Sequence, residues 1–203
     1  MKTRFFVAPS LLLSCLALTA WPQSDPQPKK QKSETYSALL YLPSGAGPRM
    51  VGAGATANLT INVNSYSSDA EAQQMAQTLL SGGQEAVRKA LEKMKTIGRV
   101  SLVGRVGQFD LKLIRSRPLP EGGRRIVGVS DRPIQFLEAY HAGRSTDYDI
   151  GIIDLELKPG KKGKEEGQGV LIYAAKVKVL EGNKVEVENF GVEPAKLMGV
   201  RRL

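Results

Sequence analysis

The sequence predicts an α+β fold: an N-terminal strand, two consecutive short helices, then a twisted antiparallel sheet or half-barrel of about six more strands. Three observations predict it. Apolar residues recur at helical spacing twice between Ser68 and Gly98. From Arg99 onward, apolar and polar residues alternate with a period of two in one segment after another. Glycine and proline punctuate those segments. The 203 residues are 41% hydrophobic and 24% charged, which suits one domain with its own core and is too apolar for a long disordered chain.

The first twenty residues stand apart. Met1-Lys2-Thr3-Arg4 is a short basic start, and "FFVAPSLLLSCLALTA" is an apolar run too short and proline-broken to span a bilayer comfortably. Residues 1–20 therefore read as a secretory signal peptide, 21–35 as a disordered linker and 36–203 as a single α+β domain. The mature chain is expected to carry no transmembrane span and to be periplasmic or extracellular. Cys15, the one cysteine, lies in "LLSC", which has the outline of a lipidation box, although the apolar run continues beyond it. Without Cys15 the mature chain has no thiol, which removes disulfides, cysteine-bound zinc and a cysteine nucleophile.

Along the domain, "YSALLYLP" reads as an edge strand. The glycine-rich "SGAGPRMVGAGATA" contains the letters of a dinucleotide fingerprint, but a strand, "ANLTINVNSY", follows where a helix belongs, so a flexible loop is expected. Ser68 and Glu71 form a capping box ahead of the stripe Ala72, Met75, Ala76, Leu79, Leu80, and Gly82 ends that helix. A second runs from Gln84 through Val87, Ala90, Leu91 and Met94 to Gly98. Strands follow at "RVSLVGR", "FDLKLIRSRP" and "RRIVGVSD", with "IQFLEAYHAG" a short helix or irregular crossing. The meander "DYDIGIIDLELK", "VLIYAAKVKVL", "KVEVENFGV" comes last. The charged "PGKKGKEEGQG" reads as a mobile hairpin tip. In the last hairpin, register favours a three-residue loop that sets Val179 against Val185, Val177 against Val187, Lys178 against Glu186 and Lys176 against Glu188. The order of elements is similar to that of the helix-grip ligand-binding folds, a likeness of element order only. Those folds end in a long helix, where this chain offers "VEPAKLMGVRRL", a turn at most.

The whole chain carries a net charge of +9, and losing Lys2 and Arg4 with the signal leaves 27 basic against 20 acidic residues. Nine bases, eight of them arginine, lie between Arg99 and Arg144 against four acids. Arginine's planar fork suits carboxylate or phosphate. "FDLKLIRSRP" passes from apolar to basic along one face, so Arg115 and Arg117, with Arg124 and Arg125, are the candidate ligand-binding residues. They imply a non-catalytic binding protein for an apolar or amphipathic anionic ligand, held in the sheet's concave face. The alternative is a structural or interaction component of the bacterial envelope, with an envelope protein as partner. Third comes a small hydrolase built on His141, the only histidine, but no serine sits in a nucleophile-elbow frame. Asp147 and Asp149 share a strand face but lack the further oxygen ligands a hard-metal site needs. Asp154 with Glu156, also on one face, have the outline of paired carboxylates for glycoside chemistry but read as solvent-facing. No residue is assigned as catalytic or metal-ligating and no cofactor is expected. Aromatics, 6% of the chain, are too few to stack nucleic acid.

Overall fold

The structure, a computed structural model, describes residues 32–43, 54–104, 107–134, 147–160, 163–180, 184–189 and 193–203. The expectations for the signal peptide, Cys15, most of the linker, most of the glycine-rich loop and His141 lie outside these residues. Among the described residues the chain is mostly β, with ten strands and one helix, which corrects the α+β expectation. In chain order these are β1 Glu34–Tyr41, β2 Thr56–Val63, α1 Asp69–Lys93, β3 Gly98–Leu102, β4 Gln108–Leu111 and β5 Leu113–Pro118. They continue with β6 Arg124–Ser130, β7 Ile150–Pro159, β8 Glu165–Leu180, β9 Lys184–Asn189 and β10 Ala195–Arg202.

All the pairings are antiparallel, in the order β4-β3-β2-β1-β10-β8-β7-β6-β5, with β9 joined to β8. β4 and β5, at opposite ends of that order, are separated in the chain by Lys112 alone. One run of chain therefore pairs with β3 through its first half, Leu111 against Gly98, and with β6 through its second, Leu113 against Val129. The Lys112 amide donates to Val129 O at 2.8 Å across the break. The result is a nearly closed barrel rather than the expected half-barrel, and closure leaves few free strand edges.

Alternation along the strands fills two cores. Inward positions, among them Tyr36, Leu59, Ile61, Leu111, Ile114, Leu155 and Leu197, pack the barrel interior. Outward positions on β5, β7 and β8, including Leu113, Ile150, Ile172 and Ala175, meet Met75, Leu79, Val87 and Leu91 of α1. Each such aliphatic side chain contributes about 1.5–3 kcal/mol by leaving water.

The two expected helices are one helical element bent at Gly83, whose φ of 67° leaves the helical region. Only that residue departs, and glycine bears the conformation without a Cβ clash. The expected start holds: Glu71 N donates to Ser68 Oγ at 3.2 Å and Ser68 N to Glu71 Oε2 at 2.7 Å.

The C-terminal segment, expected to be a turn, forms β10 between β1 and β8, so β1 is an interior strand and not an edge. A bulge hides β10 from its sequence. Leu197 and Val200 both face the core, but Met198 and Gly199 together oppose the single residue Gln168, with Gly199 at φ 57°. The expected mobile tip is likewise corrected, because Glu165–Gly169 are already strand, paired with β7 on one edge and, from Glu166, with β10 on the other. Their glycines serve close approach: a Cβ on Gly167 would lie 1.9 Å from Glu156 O. The last hairpin has the predicted register, Val177 on Val187 and Lys178 on Glu186. One ion pair shifts diagonally, Lys178 Nζ reaching Glu188 Oε1 at 2.6 Å.

Candidate functional site

A cavity of about 130 Å³ lies between the first half of α1 and the outer face of β5 to β9. Its floor is aliphatic, from Leu113, Val127, Val129, Ile152, Val170 and Ile172, and Val187 of β9 contributes at one side. Ala72 and Ala76, one helical turn apart, form the roof, and their small size leaves the space that larger residues would fill. Arg115, Arg117, Arg125 and Asp154 are the polar members of the lining. Period-two alternation explains their company. Arg115 and Arg117 share the β5 face of Leu113, and Arg125 shares the β6 face of Val127 and Val129.

The arginines are held differently. Arg125 makes a fork-to-fork pair with the buried Asp154, with Nε to Oδ1 at 2.7 Å and Nη2 to Oδ2. The Asp154 hydrogen bond, partly opposed by burial, raises the Arg125 pKa. Arg115 donates from Nη1 to Ser67 O at 2.5 Å and from Nη2 to Asp69 Oδ1. Its Nε–H is buried and has no acceptor among the described residues.

Arg124, the fourth predicted residue, is elsewhere. It shares the inward face of β6 with Ile126 and closes one end of the barrel. Nε and Nη2 grip Glu165 at 2.6 Å each, Nη2 also reaches Glu34 at 2.9 Å and Tyr36 Oη at 2.7 Å, and Nη1 reaches Tyr66 Oη at 3.1 Å. Arg202 Nη2 adds a pair to Glu34 at 3.1 Å. Burial disfavours the ionised Glu34, but hydrogen bonds from Tyr66 and Tyr36, with the Arg124 charge, outweigh it and hold the carboxyl below its ordinary range. Burial, then the neighbouring Tyr66 and Glu34, pushes the Tyr36 hydroxyl far up, and burial, then Glu34, pushes the Tyr66 hydroxyl up as well.

The paired carboxylates read from the sequence are engaged separately. Asp147 pairs with Lys176, and Asp149 with Arg88 Nε at 3.2 Å and with the Gln84 amide. Burial, partly offset by Gln84, raises the Asp149 pKa. Gln84 also donates to Asp147 O at 2.8 Å and accepts from Val177 N, so it pins the second half of α1 to the sheet. Sequence reasoning missed the roof alanines, the cavity face of β9 and Asp154's role as counter-ion. The one available signal was the alanine spacing. Comparison with protein-family models, curated proteins and solved structures found no match to this chain. The fold and site describe a barrel-like β protein with a helix-roofed apolar cavity and arginines in its wall.

Proposed function

We propose that this is a non-catalytic, exported binding protein whose cavity between α1 and the sheet takes a small amphipathic anion. The observation that carries the reading is Arg115: a guanidinium in the wall of an aliphatic cavity, with a buried Nε–H that lacks an acceptor among the described residues. A buried donor left unpaired is costly, and a carboxylate oxygen satisfies it. Aliphatic cavities of about 150 Å³ hold a benzene ring. The apolar part of the ligand is therefore a ring or a short branched chain, with its carboxylate toward Arg115. The concave interior of the sheet, expected from the sequence to hold the ligand, is filled by core side chains, which makes the outer cavity the better site.

Calorimetric titration with benzoate, beside its neutral analogue benzyl alcohol, tests this. Benzoate is expected to bind saturably, more tightly than the alcohol, and to lose about tenfold or more in affinity in Arg115→Gln, the weight of a charge-assisted hydrogen bond. Equal affinity for acid and alcohol, or no change in the variant, overturns the anionic reading.

A further inference from the structure

We infer that Asp69, which pairs with Arg115 from outside the cavity lining, competes with a ligand carboxylate for that guanidinium and so sets the affinity and selectivity of the site. The inference rests on the binding reading above. Three contrasts carry it.

The first is exposure. The Asp69 side chain is 84% exposed and the Arg115 side chain only 21%. Exchanging Asp69 for a ligand returns one carboxylate to water by side-chain rotation and leaves the guanidinium with an anion.

The second is anchoring. The chain entering α1 is fastened independently of Asp69. Ser67 N donates to Ile114 O at 2.8 Å, Ile114 N donates to Ser67 Oγ at 3.2 Å, and Ser68 with Glu71 completes the cap. Losing the Asp69 contact therefore leaves the roof of the cavity in place.

The third is the acid that does line the cavity, Asp154. Asp154 is 9% exposed and bound through both oxygens to Arg125. Displacing it would strand a buried carboxylate, which is far costlier than releasing an exposed one. Arg125 is thus committed, whereas Arg115 is held by an anion that water can accept. A ligand anion competes with Asp69 for that position and additionally satisfies Nε.

The test is benzoate titration of Asp69→Asn at matched ionic strength, with Asp69→Ser as a second variant and Glu121→Gln as a control for net charge. Asp69→Asn and Asp69→Ser are expected to bind benzoate roughly two- to fivefold more tightly than the unsubstituted protein, the range set by an exposed ion pair. Glu121→Gln is expected to bind like the unsubstituted protein. If the unsubstituted protein binds benzoate and both Asp69 variants bind it equally or less tightly, the inference is overturned while the binding reading stands. An equal gain in Glu121→Gln also overturns it, since the effect is then long-range charge. Failure of every form to bind removes the binding reading and this inference together.

Discussion

Arg124 and Arg125 are consecutive in the chain and do opposite things. Alternation along β6 sends Arg124 into the end of the barrel, where two glutamates and two tyrosines meet it, and Arg125 to the outer cavity, where one aspartate does. The barrel-end arginine is saturated with partners, which makes it a structural plug. The cavity side has an arginine, Arg115, with a donor unused among the described residues, beside aliphatic walls. Arginine density alone therefore does not mark a binding surface. What marks it is a donor left unsatisfied next to apolar space.

The contrast can be broken most forcefully at the plug. Arg124→Met leaves Glu34 and Glu165 in a largely buried site with Arg202 as the remaining paired cation among the described residues, beside the Tyr36 and Tyr66 hydroxyls. A loss of about 3 kcal/mol in urea unfolding is expected, with benzoate affinity unchanged in the folded protein. A large loss of binding with little loss of stability would reverse the two assignments. Glu34→Gln is the next largest change, expected to cost about 2 kcal/mol at neutral pH. It also alters the acid limb. Because the folded-state pKa of Glu34 lies below its ordinary 4.5, its contribution is fully present above that value and is lost as the pH falls through the folded-state pKa. The variant's stability should thus fall less steeply below about pH 4.5, and identical acid limbs would argue against the plug. The smallest effect sharpens the comparison from outside. Arg99 meets Asp110 at 3.3 Å on the open surface, and Arg99→Ala should shift stability by no more than about 0.5 kcal/mol. A larger shift would mean that surface pairs carry weight here and that the plug is not special.

Much of the fold was legible wherever local rules act alone. The capping box at Ser68 and Glu71 and the register of the β8–β9 hairpin depend on residues a few positions apart, and they stand as the sequence reads. "FDLKLIRSRP", read as one strand with a single apolar-to-basic face, instead divides at Lys112, which puts Leu111 in the barrel core and Leu113 on the outer face. The failures share a cause. In β10 a bulge at Met198–Gly199 breaks the period on which strand recognition depends. In Glu165–Gly169, glycines that read as a loose tip are there because Glu156 O and Asp154 O come too close for a Cβ. In α1 two stripes separated by Gly82-Gly83 read as two helices, although only Gly83 leaves the helical region. At the site, the choice of Arg115, Arg117 and Arg125 followed from composition and alternation. Setting Arg124 with them ignored that same alternation.

By itself the sequence determined which faces of its strands are apolar, where its helix starts, how its last hairpin pairs and that arginine dominates the middle of the chain. These follow from side-chain period and local hydrogen bonding. Only the tertiary structure decided that the sheet nearly closes, that the C-terminal segment is a strand inside it, that Glu34, Glu165 and Arg202 converge on Arg124, and that Ala72 and Ala76 roof a cavity beside Arg115. Several of those outcomes depend on residues more than a hundred positions apart, with Arg202 paired across strands to Tyr36 and by charge to Glu34. Such long-range choices are made by packing the whole core at once, and no window of local sequence contains them.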